Sequence, residues 1–273
     1  MKIYHYTTIE TLALILKNKT IRFNRLDQVD DVEETMYGSG PDDLIYEKYT
    51  FTSCWTKEEQ ENLALWKMYA GYDGIRIGMN EKMFISYNNE PFNTVESYFQ
   101  NSMGFYGDDY FAPQINNQIK LYDVMYVDNP KDERIDYATI KNNKRIINTE
   151  KVGLIKRKEW EVQKESRFKI HVIPLNPQYL ENLNSKSLNT MNRMELTKAN
   201  FILTPALVKS LDEHYPIKTT SMFISLRQDA LENIEVLMGP QTSEADHIIT
   251  ESLLKDYPNA KIEDSYFRGK IRK

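Results

Sequence analysis

The sequence predicts a mixed α+β fold. Short segments of alternating apolar and polar residues recur from one end of the chain to the other, and segments with helical apolar spacing fall between them. The two kinds follow no regular strand–helix–strand rhythm, which argues against a doubly wound parallel sheet. No internal repeat is visible, so solenoids and propellers are set aside. The 273 residues suffice for one sizeable core and do not demand two. Residues 1–273 therefore read as one domain, with an insertion or mobile segment at about 80–118.

Ile3-Tyr4-His5-Tyr6 reads as a strand. Thr7, with Glu10 three residues on, is spaced as a capping box for a helix carrying Ile9, Leu12, Leu14, Ile15 and Leu16 to about Lys19. Thr20–Phe23 is a second strand, and Asn24–Glu34 is acidic and turn-like. Tyr49–Trp55 is a strand. Glu58–Tyr69 is expected to be a helix, with Leu63, Leu65, Trp66 and Tyr69 on its apolar stripe. A turn over Ala70–Gly74 leads into a strand over Ile75–Met79. The glycines at 71, 74 and 78 precede a strand instead of following one, so they are not a dinucleotide fingerprint. Asn80 to about Gln118 reads as a helix and then a long loop. Ile119–Val127 reads as a strand and Asp132 to about Lys158 as largely helical.

Glu165 to Val172 alternates cleanly. Ser166, Phe168, Ile170 and Val172 form one face, and Glu165, Arg167, Lys169 and His171 the other. This predicts a half-buried strand whose charged face is solvated, with Glu165 at its rigid end. Pro174–Met194 is a polar connector, and Leu196–Tyr215 is mixed helix and coil. Ser221–Leu226 and Ile234–Met238 are strands. Thr242 or Ser243 caps a helix to about Lys255, and Lys261–Glu263 is a last short strand.

Composition excludes several function classes. A net charge of −5 argues against a general electrostatic grip on nucleic acid, although basic residues gather between Lys151 and Lys169. The single cysteine, Cys54, permits no intrachain disulfide and reads as a small buried side chain. The N-terminus does not resemble a secretory leader, and no run approaches the ~18 apolar residues of a membrane span. The expectation is a cytoplasmic protein with no membrane partner. Four histidines without paired spacing and no cysteine cluster argue against zinc. Asp30, Asp31 and Glu34 could hold Mg²⁺ in a nuclease, but they lack the spacing of a calcium loop.

Three features remain: His5-Tyr6-Thr7, Trp66-x-x-Tyr69 and Glu165-x-Arg167. Each alone suits a core or a hydrogen-bonded strand. Together they suit one task, because a histidine can hold a ribose hydroxyl, an aromatic ring can stack on a flat base, and a carboxylate can stabilise positive charge developing on a sugar carbon.

The blocks Tyr4–Thr7, Leu14–Lys17, Ile21–Asp27, Asp30-Asp31-x-x-Glu34, Thr52–Trp55, Leu65-Trp66-x-x-Tyr69-Ala70, Gly74–Gly78, Trp160–Arg167 and Ile234–Pro240 occur in the order seen in the bacterial family labelled domain of unknown function 2971, which the chain resembles. That resemblance implies the ADP-ribosyltransferase fold of the His-Tyr-Glu class, a split β-sheet flanked by helices with NAD lying across it. It also implies catalytic roles for His5, Tyr69 and Glu165, and NAD contacts from His5, Tyr6, Thr7, Arg25, Ser53, Trp66, Tyr69 and Arg167, with no metal. The implied function is ADP-ribosyl transfer to a nucleic acid or protein, as in toxins and phage-defence effectors, with a neutralising or regulatory protein as a further partner. The chain departs from the family pattern at Gln163, where glutamate is usual, and at Asp30, where asparagine is usual. The Gln163 departure supports an alternative, a module that senses NAD or ADP-ribose without turning it over.

Overall fold

The structure is a computed structural model that describes residues 1–35, 46–85, 104–113, 119–130, 138–141, 144–147, 149–180 and 182–271. It is mixed α and β, as the patterning predicts. The chain opens with β1 (Lys2–Thr7), α1 (Ile9–Asn18) and β2 (Thr20–Arg25). The cap of α1 is Thr8, whose side chain accepts from the Thr11 N–H. Thr7 is still in the β1 ladder, opposite Ile75, so the first residue free to turn is the one after it. β3 (Thr50–Thr56) follows. The expected helix over 58–69 is shorter: Asn62 caps α2 (Leu63–Leu65), which runs into a π-helical turn at Trp66–Ala70. Residues before Asn62 are committed elsewhere. The Glu59 carbonyl accepts from Arg76, and the Glu61 carboxylate accepts from Trp66 Nε1, Ser265 and Tyr266.

β4 (Ile75–Asn80) is followed by β5 (Phe105–Tyr106) and β6 (Tyr110–Ala112), which pair within the segment expected as an insertion. The helix expected just after Asn80 lies mostly outside the described residues. The strand expected over 119–127 is two strands, β7 (Leu121–Asp123) and β8 (Met125–Val127), because the Val124 N–H turns to the Glu165 carbonyl. The helix expected over 132–158 gives way to β9 (Ala138–Lys141), β10 (Lys144–Ile147) and β11 (Ile155–Arg157). β9 and β10 pair antiparallel, from Lys141 opposite Lys144 to Ala138 opposite Ile147. A 3₁₀ segment (Lys158–Gln163) leads to β12 (Glu165–His171) and β13 (Ile173–Pro174).

The polar connector carries α3 (Ser185–Thr190), and the uncertain stretch after it is one helix, α4 (Arg193–Asp212), begun by an Asn192–Glu195 capping box. β14 (Ser221–Ser225), α5 (Gln228–Glu232), β15 (Glu235–Met238), α6 (Glu244–Leu254) capped by Ser243, and β16 (Lys261–Asp264) complete the chain.

The main sheet runs β14-β2-β3-β1-β4-β15-β16, with β12 and then β7 attached to β3. β12 lies along the whole of one edge of β3, from Glu165 opposite Thr56 to His171 opposite Thr50. The other edge is shared. Tyr4 of β1 faces Thr56 at one end, while Asn24 and Arg25 of β2 face Thr52 and Phe51 at the other. β1 and β2 thus diverge from a common neighbour. The core contains Ile3, Leu12, Phe23, Phe51, Ile75, Ile77, Phe168, Ile170, Ile224 and Val236. Among the described residues no helix is long and apolar enough to cross a membrane.

Candidate functional site

The divergence of β1 from β3 opens a pocket. Their ladder holds the single Cα pair Tyr4–Thr56, and beyond it the His5 imidazole reaches the Cys54 carbonyl at 2.8 Å. A carbonyl only accepts, so Nδ1 carries the proton. Burial lowers the His5 pKa, so the ring is neutral and Nε2 is an acceptor. The walls come from β1 (Tyr4, His5, Tyr6), β3 (Cys54, Trp55, Thr56), the π turn (Tyr69) and the Gln163–Glu165 corner, and the pocket encloses about 80 Å³ with one side open. Aromatic packing stiffens it. His5 lies 5.1 Å from Trp55, and Tyr6 meets Trp66 edge-on at 4.9 Å.

Four of the residues expected to share a site, His5, Tyr6, Tyr69 and Glu165, line this pocket. The other five stand behind or away from it. Thr7 lies further along the β1–β4 ladder. Ser53 is buried and accepts from Trp55 Nε1. Trp66 is fully buried behind Tyr6, with Nε1 on Glu61. Arg25 is held by Asp27 and by the carbonyls of Ile217 and Thr219. Arg167 is buried behind Glu165.

The face of β12 expected to be solvated is buried. Glu165, Arg167 and Lys169 are 8%, 1% and 3% exposed. The charges survive burial because they are paired. Arg167 donates to Glu165 at 2.5 and 3.0 Å, to both oxygens of Glu34 and to the Gly153 carbonyl. Lys156 reaches Glu165 at 2.7 Å and Glu34 at 2.9 Å. Two carboxylates and two cations therefore cancel in the interior. Lys169 is satisfied by the carbonyls of Thr149, Glu150 and Val152. Burial alone would raise the Glu165 pKa, but the charges of Arg167 and Lys156 outweigh it and hold the carboxyl at about 2. Glu165 is an anion at neutral pH and a weak base.

Gln163 ties this cluster to the ring. Its Oε1 accepts from Lys156 at 2.8 Å, and its Nε2 donates to the Tyr69 hydroxyl at 2.6 Å. Burial, followed by the negative charge of Asp30 and Glu165, pushes the Tyr69 pKa up, so the phenol stays protonated. Burial pushes the Cys54 thiol up as well, which removes it as a nucleophile. Glu34, Lys156 and the Gln163 bridge were not anticipated as parts of one site. Glu34 stood in the Asp30-Asp31-x-x-Glu34 block, whereas Lys156 was one cation among several neighbours in sequence. In that block both Glu34 oxygens face cations, Arg167 and Lys156. Among the described residues no three or more His, Cys, Asp and Glu side chains gather where they could hold a metal ion.

Residues 65–168 match the model of a family described as "Protein of unknown function (DUF2971)". The matched span includes Tyr69, Lys156, Gln163, Glu165 and Arg167, while His5 and Glu34 lie outside it. No curated protein and no solved structure matches the chain.

Proposed function

We propose that the pocket binds the nicotinamide end of NAD and that Glu165 stabilises positive charge on the ribose carbon as the nicotinamide bond breaks. On this reading the chain is an ADP-ribosyltransferase-like enzyme with the split-sheet fold of that class. The observation that carries it is convergence. Residues separated by up to 160 positions, His5 on β1, Tyr69 on the π turn and Glu165 on β12, line one pocket. The enclosed space suits one flat ring, and the rest of a dinucleotide would lie in the open mouth. Tyr69 and Tyr6 would pack that ring, and His5 Nε2 would accept from a ribose hydroxyl. Glu165, fixed by two cations, needs no reorganisation to face a developing cation, as carboxylates do in glycoside cleavage.

A second reading is favoured by one observation: the Glu165 oxygens already face Arg167 and Lys156, and the nearby side chain two residues earlier is an amide. Such a pocket would hold NAD or ADP-ribose without turnover. Calorimetric titration with NAD, ADP-ribose and nicotinamide tests the shared premise. Tyr69→Ala should weaken NAD and nicotinamide about tenfold (~1–1.5 kcal/mol for a lost stacking ring) and leave ADP-ribose nearly unchanged. Absence of binding by all three would end both readings. If NAD binds but no nicotinamide is released, Gln163→Glu separates the two: gain of release favours a transferase lacking its second carboxylate, and continued silence favours the sensor.

A further inference from the structure

Asn62 touches three walls of the pocket without lining it. Its Oδ1 accepts from the N–H groups of Ala64 at 2.9 Å and Leu65 at 3.4 Å, which caps α2 and fixes the start of the turn that carries Tyr69. Its backbone N–H donates to the Tyr6 hydroxyl on β1 at 2.9 Å. Its Nδ2 donates to the Val162 carbonyl at 2.6 Å, one residue before Gln163 and the Glu165 corner. The Asn62 carbonyl accepts from the Trp66 N–H. Every polar group of this residue is engaged. The network also sets the amide's orientation, because two N–H donors need Oδ1 and a carbonyl needs Nδ2.

Capping alone does not call for asparagine, since serine, threonine and aspartate cap as well. Aspartate has no proton to donate, and serine and threonine carry one oxygen where asparagine carries two separate groups. Only the amide caps a helix and donates across the pocket at once. The post on which it stands is firm. The Glu59 carbonyl accepts from Arg76 at 2.7 Å, and the Glu61 carboxylate accepts from Trp66 Nε1, the Ser265 hydroxyl and the Tyr266 N–H. The 3₁₀ segment it reaches is mostly surface: Lys158, Glu159, Glu161 and Val162 are exposed, and Gln163 at its end is buried. The Asn62–Val162 bond ties the exposed part of that segment to the wall over 62–70. We infer that Asn62 is a positioning residue for this pocket: its clasp on Val162 fixes the spacing between the Tyr6 and Tyr69 wall and the Gln163–Glu165 corner. The inference rests on the reading of the pocket as a seat for a flat ring, because a ring held from both sides is sensitive to that spacing.

Asn62→Asp and Asn62→Ser keep the α2 cap and lose the clasp, so they separate the two roles, and the serine variant does so without adding charge. Both should melt within about 2–4 °C of the wild type. Hydrogen exchange of the ligand-free chain should quicken over 158–163 and stay unchanged in α2. In calorimetric titrations nicotinamide and NAD should bind about three- to tenfold more weakly, as for one lost hydrogen bond. ADP-ribose, which lacks the ring, should change less than about twofold. Asn62→Ala, which loses the cap too, should show the same ligand pattern and melt lower. Unchanged exchange over 158–163 in both capping variants, or equal weakening of NAD and ADP-ribose, overturns the proposal. If the wild type binds none of the three ligands, the nicotinamide reading falls, and the exchange result alone decides for or against the clasp.

Discussion

At the scale of single residues, the site rests on a carboxylate whose charge is fixed by its neighbours. Removing Arg167 would leave Glu34 and Glu165 buried with Lys156 as their remaining cation. Arg167→Met should therefore cost about 3–5 kcal/mol in urea unfolding; a loss below ~1 kcal/mol would mean the cluster is more open than its burial indicates. Acid provides a second probe. The charges of Arg167 and Lys156 hold the folded Glu165 pKa at about 2, below the 4.5 of an ordinary glutamate. Its stabilisation is thus complete above pH ~4.5 and is lost as pH falls towards 2, by about 3 kcal/mol in all. Glu165→Gln should start less stable and show a flatter decline over that interval. Tyr69→Phe keeps the ring but removes the hydroxyl that accepts from Gln163. It should change NAD affinity less than threefold, by calorimetry, if the ring and not the phenol does the binding.

Elements explain how such residues are brought together, and also why part of the site could be read in the sequence. Period-two alternation located β1, β3 and β12, and with them His5 and Glu165, because a strand writes its two faces directly into the order of its residues. The same alternation misjudged the charged face of β12. Arg167 and Lys169 look wet in sequence, and only the arrival of Glu34, Lys156 and the 149–153 backbone from distant segments makes burial tolerable. Helix α4 was obscured because Met194, Phe201 and Val208 stand on its exposed side, which blurs the apolar period. The turn that delivers Tyr69 depends on Gly74, where a Cβ would lie 2.2 Å from the Ala70 carbonyl oxygen and 2.6 Å from that of Thr7. Both contacts are backbone, so neither can yield cheaply. Gly74→Ala should destabilise by about 2–4 kcal/mol and weaken ligand binding as the π turn shifts; a thermal melt and a titration on the same variant would show both.

For the molecule as a whole, a pocket walled largely by aromatic side chains sits where two strands part from a shared neighbour, on a frame whose main apolar core gathers on one face of the main sheet, with Ile3, Phe23, Phe51, Ile77 and Phe168. The α+β class was legible because helical and strand periods alternate without a βαβ rhythm. The hairpin of β9 and β10 was not, because charged residues mask its short β-branched runs. The pocket also needs the two ends of the chain's first 170 residues, so no local window contains it. The acidic net charge and the local position of the basic residues leave the acceptor to experiment, whereas the donor chemistry can be tested at once. The most direct test is release of nicotinamide from NAD by the purified chain, measured beside Glu165→Gln at a temperature where both are folded. The account predicts release by the wild type and a fall of about a hundredfold or more in the variant, on the order of 3 kcal/mol of transition-state stabilisation. Equal release by the two proteins would contradict it, since the carboxylate would then have no part in breaking the bond.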